Sequence, residues 1–400
     1  MTDNSTTPSP ALMRGVLTRR TVMQGAGVLG VAAALAACGT SGTKRGAGTQ
    51  PTAQDRSDID HIVNWSNWQA YIDVNDKTQG HPTLDAFKKK TGITVNYTED
   101  VNDNDEFFAK IEPQLKAGTD TGRDTFCLTD WMASRLIRLG YVQKLDKSNI
   151  PNSANLEDAL VHMPWDDGRQ FSLPWQSGFT GIGWNPKSTN GKSVTSIDQL
   201  LHDPSLKGKV TLLTEMRDTV GLVMLAQGKD PANFTDDDFN AAMSELTSVK
   251  DAGQLKGFTG NDYTKGLASG DIAACMAWTG DVVQLKADNP HLGYALPATG
   301  HMQWSDNFLI PNMAQHKKNA EILINYYYDP NVMAKVEDYV NYIPPVKGTK
   351  AVLLKSDPTT ADNQLIFPSE ATLAQSHFFM GLTADKEFKY NQAFQALIGG

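Results

Sequence analysis

Short apolar runs alternate along this chain with longer stretches whose apolar positions return every third or fourth residue, the two periods of strand and helix. One run opens at Ile62; others lie at Ile93 to Tyr97, Asp124 to Leu128, Val210 to Leu213, Ile272 to Trp278 and Phe308 to Ile310. Phe171 to Trp175 leads into Gly178, Gly181 and Gly183, an apolar segment suited to a strand crossing between two lobes. Leu84 and Phe87 belong to a helix that Gly92 stops as a left-handed cap. Phe107, Phe108, Ile111 and Leu115 form the buried face of the next, whose N-cap and first-turn charges come from the acidic patch Glu99 to Glu106. Thr129-Asp130-Trp131 turns into a helix ending at Gly140, Ser196 caps one holding Leu200 and Leu201, and Asp236 to Val249 is amphipathic. Gly280-Asp281 opens a further helix, Ala320 to Tyr328 is stopped by Pro330, and Tyr342 closes a helix before Pro344-Pro345. This alternation predicts an α/β fold with mainly parallel sheets.

Trp68, Trp131, Glu215, Asp218, Trp278, Trp304 and Asp306 all fall at the C-terminal end of a predicted strand or just beyond it. In open α/β sheets that is where ligands bind. The first strand also brings Trp65, Trp68 and Tyr71 close together, and large rings at a loop mouth are costly to expose unless something covers them. Plainer readings stand beside these: Trp278 as core, Glu215 as a helix cap, Asp218 with Arg217 as a surface pair. Trp175 and Trp184 are read as structural.

Four hundred residues at 40% hydrophobic and 20% charged leave room for two domains. The formal charge of −9 argues against nucleic acid and is compatible with a cationic ligand. Thr18-Arg19-Arg20-Thr21-Val22-Met23 resembles a twin-arginine export motif, and the apolar run Gly25 to Ala37 after it is too short for a permanent membrane span. Leu35-Ala36-Ala37-Cys38 resembles a lipobox, with Cys38 as the lipidated residue. The expected organisation is a signal peptide over 1–37 and a flexible tether over 38–58. The G-x-G-x-x-G at 25–30 follows no strand, so it is read as leader rather than as a dinucleotide site. Cys127 and Cys275 are expected as buried thiols. No histidine spacing suggests a metal, and no cofactor is expected.

At Asn67-Trp68-Gln69-Ala70-Tyr71 the chain resembles the bacterial spermidine/putrescine-binding proteins, the substrate-binding subunits of polyamine ABC importers. The resemblance runs on through Gly140 to Asp146, Ser172-Leu173-Pro174, Met276-Ala277-Trp278, Trp304-Ser305-Asp306 and Leu309-Ile310-Pro311. It implies a two-lobed α/β fold of the type II periplasmic-binding-protein kind, with a ligand cleft between lobe 1 (59–180 plus 305–350) and lobe 2 (181–304 plus 351–400). It also implies the ligand-binding residues: Trp68, Gln69, Tyr71, Thr129, Asp130, Trp131, Glu215, Asp218, Trp278, Trp304, Asp306 and Tyr342. Phe379 stands where the family has a glutamine. The protein would be a monomeric lipoprotein anchored through Cys38 on the outer face of the cytoplasmic membrane, handing a polyamine to the permease subunits of an importer.

Such a ligand is an alkyl rod carrying ammonium groups, so its site needs carboxylates at the charged ends and rings along the methylenes. Asp306 from one lobe and Glu215 or Asp218 from the other would meet the amines. Trp68, Trp278 and Trp304 would sandwich the chain, each adding a cation–π attraction of about 0.5–2 kcal/mol. Acids on separate lobes make ligand binding favour closure. The alternatives are another cationic solute (an amino acid, an opine, a guanidino compound or a quaternary amine) and, from a different class, a secreted hydrolase. A quaternary ammonium wants rings without strong acids, and no G-x-S-x-G elbow occurs.

Overall fold

The computed structural model describes residues 51–75 and 77–399. The export motif and the lipobox with Cys38 lie outside the described residues. In chain order the strands are β1 (Ile62–Trp68), β2 (Thr94–Val101), β3 (Thr125–Thr129), the hairpin β4 (His162–Met163) and β5 (Asp166–Asp167), β6 (Ser172–Trp184), β7 (Val210–Leu213), β8 (Leu255–Thr259), β9 (Ala274–Trp278), β10 (Gly293–Ala295), β11 (His301–Leu309) and β12 (Ser376–His377). All but the hairpin share one sheet, in the order β2-β1-β3-β11-β6-β9-β7-β8, with β10 on β6 and β12 on β11.

Pairing is parallel within each end of the sheet, as strand–helix alternation predicts. The middle departs from that expectation, because β11 and β6 run antiparallel to each other and to their outer neighbours β3 and β9. The two parallel halves therefore point in opposite directions. β3 reaches β11 at Thr129, opposite Asp306, and β9 reaches β6 at Trp278, opposite Thr180. Both sets of C-terminal strand ends thus converge on the central residues of two long strands. Trp304 and Asp306 accordingly lie inside β11 rather than at a strand end, a correction to the sequence reading. Trp131, just beyond the end of β3 as expected, sits in the first turn of the helix Asp130–Arg138.

Local chemistry fixes the elements around this meeting point. Gly92 ends the helix Pro82–Thr91 at φ +77°, as expected. Asp103 caps the helix Asn104–Ala117 by accepting the Glu106 N–H at 3.0 Å, and Phe107, Phe108, Ile111 and Leu115 of that helix are buried. Tyr342 is not the last residue of its helix, which spans Pro330–Val340 and is broken by Asn341 at φ +61°. A two-way backbone bridge between Ile343 and Ser177, at 2.8 and 2.9 Å, then lays Tyr342 against β6. Trp65 and Trp175 belong to the core, packed edge-to-face at 5.3 Å, and Cys127 and Cys275 are buried and unpaired.

β6 is buried along its whole length, and its Gly178 and Gly181 make room for rings. A Cβ at Gly178 would lie 2.7 Å from the Trp304 indole and 2.9 Å from the Tyr342 ring. Gly178→Ala is therefore expected to destabilise the ligand-free protein by about 1–3 kcal/mol through overpacking. Urea unfolding measures this, and an unchanged midpoint would mean that the two rings yield freely.

Candidate functional site

Where the halves meet, side chains enclose a cavity of about 520 Å³, inside the range of roughly 300–1,000 Å³ usual for small-molecule sites. Trp68, Gln69, Tyr71, Thr129, Asp130, Trp131, Glu215, Asp218, Trp278, Trp304, Asp306 and Tyr342 all line it, and so does Phe379. The two halves touch around it. Thr214 donates to Asp103 at 2.6 Å, Asn104 to Glu215 at 3.2 Å, and the Gln284 amide to the Ala70 carbonyl at 3.2 Å.

One wall is a run of five rings in edge-to-face contact: Trp68 to Trp278 at 6.1 Å, Trp278 to Trp304 at 6.3 Å, Trp304 to Tyr342 at 5.5 Å, and Tyr342 to Tyr71 at 5.1 Å. Aromatic quadrupoles favour such edge-on pairs. Strand register breaks at two places along this wall. β1 slips against β2 between Asn67 and Trp68, and β11 slips against β6 between Asp306 and Asn307. Bulges of this kind re-aim side chains beside functional sites.

Four acids in the cavity are each held by an aromatic donor. Asp306 accepts the Tyr71 hydroxyl on one oxygen and Thr129, its cross-strand partner, on the other, both at 2.8 Å. Asp218 accepts the Trp278 indole N–H at 2.8 Å, and Glu215 accepts that of Trp131 at 3.0 Å. Asp281 accepts the hydroxyls of Tyr342 and Tyr263 at 2.8 and 2.7 Å, and the Asn261 amide at 2.7 Å. Asn104 bridges Thr129 and Glu215, so a chain of hydrogen bonds joins Asp306 to Glu215. Asp130 turns one oxygen back to the Trp131 N–H at 2.8 Å.

Burial is the main force on these carboxyls, and it disfavours their charged form. It pushes Glu215 up to about 8 and Asp306 to about 7, against the hydrogen bonds and the nearby Arg217 that pull the other way. Asp218 and Asp281 are raised to about 6 for the same reason. The surface-pair reading of Asp218 with Arg217 fails, because both side chains are buried. Glu215 does cap its helix, accepting the Arg217 N–H at 3.2 Å, but its other oxygen serves the cavity. Sequence reasoning gave Asp281 only the role of opening a helix. Its place one helical turn after Trp278 is the signal that could have marked it. Among the described residues no group of acids, histidines and cysteines could hold a metal ion, and no helix is long and apolar enough to cross a membrane.

These raised values set a pH dependence. Between about pH 4 and pH 8 the folded protein keeps protons that the unfolded chain has lost, so these groups contribute stability that fades as pH rises through that window. The urea midpoint of ligand-free protein should therefore fall between about pH 5 and about pH 8, and the pair Glu215→Gln with Asp306→Asn should flatten the slope. A slope untouched by both substitutions would place the effect elsewhere.

Comparison with known proteins adds the last finding. Residues 83–367 match the family model of bacterial extracellular solute-binding proteins. The spermidine/putrescine-binding periplasmic protein 1 of Haemophilus influenzae is 27% identical over 92% of this chain and 96% of its own length. The putrescine-binding periplasmic protein PotF of Escherichia coli is 30% identical over 77% of this chain and 82% of its own. Among solved structures, the spermidine/putrescine transporter substrate-binding protein PotD of Streptococcus pneumoniae superposes with a TM-score of 0.67 at 22% identity, covering 84% of this chain and 98% of that one. The binding protein MotA of A. tumefaciens B6, solved with glucopine, gives 0.67 at 16% identity, covering 84% and 99%. The fold is that of the type II periplasmic binding proteins.

Proposed function

The chain belongs to the bacterial extracellular solute-binding proteins, and from that premise we propose that it captures a polyamine of the putrescine or spermidine kind and delivers it to an ABC importer. The observation that carries this reading is the set of four buried carboxyls, Glu215, Asp218, Asp281 and Asp306, spread along a wall of indoles and phenols. The basic residues on the cavity wall, Arg138 and Arg217, are both engaged by Glu387, so the protein itself supplies little counter-charge to the acids. Ammonium groups would supply it, with methylenes lying across the ring faces of Trp68, Trp278 and Trp304. The names of the relatives from Haemophilus influenzae and Escherichia coli support the same class.

In this reading the lobes divide as 59–180 with 305–350 against 181–304 with 351–400, and ligand closes one on the other. Trp68, Gln69, Tyr71, Thr129, Asp130, Trp131, Glu215, Asp218, Trp278, Trp304, Asp306 and Tyr342 form the binding surface, to which we add Asp281. The protein works as a monomer, not as an enzyme. Export by the twin-arginine motif and lipidation at Cys38 would hold it outside the cytoplasmic membrane, beside the permease subunits it serves.

Calorimetry of ligand-stripped protein with putrescine, cadaverine, spermidine and spermine tests the proposal. At least one should bind, and Asp306→Asn or Glu215→Gln should each weaken that binding by about 2–5 kcal/mol, as expected for removing one partner of a buried charge pair. No heat from any of the four would remove the polyamine assignment.

A further inference from the structure

A charged cluster at the edge of the cavity has so far been given no task. Glu387, on the C-terminal helix Ala384–Gly399, is buried, and three arginines converge on its carboxylate. Arg217 Nη2 lies 3.1 Å from it and Arg135 Nε 3.3 Å, and Arg138 also bonds to it. Arg135 and Arg138 come from the helix Asp130–Arg138, which follows β3 in the first half of the sheet; Arg217 comes from the helix after β7 in the second. Two of these guanidinium groups also sit over the Trp131 ring, Arg217 at 3.6 Å and Arg135 at 4.7 Å from its centre. Trp131 in turn holds Glu215. Arg217 Nη1 stands only 3.8 Å from Glu215 Oε1, the oxygen that also caps the helix. Arg217 thus has two carboxylates within reach, and Glu387 is the nearer.

A buried guanidinium without a partner is costly, so it takes whichever carboxylate is at hand. We propose that Glu387 is a positioning residue for cation capture: it occupies Arg217, which leaves the charge of Glu215 available to the ligand's ammonium. With Arg135 it also fixes the indole that orients Glu215. The C-terminal helix becomes part of the binding machinery although Glu387 need not touch the ligand. This inference rests on the reading of Glu215 as an ammonium partner. If Glu387 lost its charge, a shift of under about 1 Å would let Arg217 pair with Glu215 at ordinary ion-pair distance, and an incoming amine would have to compete with an arginine already in place.

The test is a mutant cycle read by spermidine calorimetry on the full chain: wild type, Glu387→Gln, Arg217→Met and the double variant. Glu387→Gln should weaken spermidine about tenfold, and adding Arg217→Met should recover most of that loss, since coupled neighbours are non-additive. Should Glu387→Gln fail to fold, Arg217→Met read against the double variant carries the same comparison: once the arginine is gone, the charge at 387 should no longer matter. A residue that merely braced the fold would cost affinity in both backgrounds, and that outcome would overturn the proposal. Carboxyl NMR titration of ligand-free protein separates this inference from the polyamine reading. Glu215 must titrate lower in Glu387→Gln than in wild type, whatever solute the site takes. Equal titration would refute the role of Glu387, whereas a wild type that ignores spermidine but shows the shift would refute only the ligand.

Discussion

The desolvation of carboxylates is the constraint on which this molecule turns. Glu215, Asp218, Asp281 and Asp306 are all buried, and burying a lone charge is among the most expensive things a fold can do. Hydrogen bonds from Tyr71, Tyr342, Tyr263, Trp278, Trp131 and Thr129 orient the four acids without neutralising them. Three of these donors, Tyr71, Tyr342 and Trp278, also belong to the ring wall. Those three side chains do two jobs, since the polar edge of each points an acid while its ring forms part of the wall. A site of buried acids whose ionisation needs a partner discriminates strongly for a guest that brings positive charge with it.

The sheet explains how acids distant in sequence come together. Because β6 and β11 pass through both halves in opposite senses, the strand ends that carry Thr129 and Trp278 are directed at one another. Asp306 stands on the central strand where one half arrives, and Glu215, Asp218 and Asp281 stand on loops and first helical turns of the other. Contacts across the gap are both polar, such as Gln284 to Ala70 and Thr214 to Asp103, and aromatic, such as Trp68 to Trp278. Glycine at 178 lets the Trp304 and Tyr342 rings lie against β6.

Much of this was legible in the chain. The strand runs, the caps at Gly92 and Ser196, and the burial of Phe107 and Ile111 follow from period and local chemistry, and short-range signals of that kind survive in one sequence. The twelve residues picked for the site all line one cavity, most of them found through the order of family-like segments. What was not legible is non-local. Nothing near Trp304 or Asp306 says that their strand runs antiparallel and continues past them, because that depends on pairing with β3 and β6 far away in sequence. Asp281 looked like a helix opener because its three hydrogen-bond partners lie elsewhere in the chain. Glu387 carried no signal at all, since its meaning comes from arginines at 135, 138 and 217.

If the central claim is right, the empty site holds protons that a cation displaces. An ammonium seated against Glu215 or Asp306 favours the ionised carboxylate, so carboxyls raised to about 8 and about 7 by burial must release protons as it binds. Titrating spermidine calorimetrically at neutral pH in buffers of different ionisation enthalpy measures that release directly. The account predicts an observed enthalpy that changes with the buffer in the direction of protons given up to it. An enthalpy independent of buffer would contradict it.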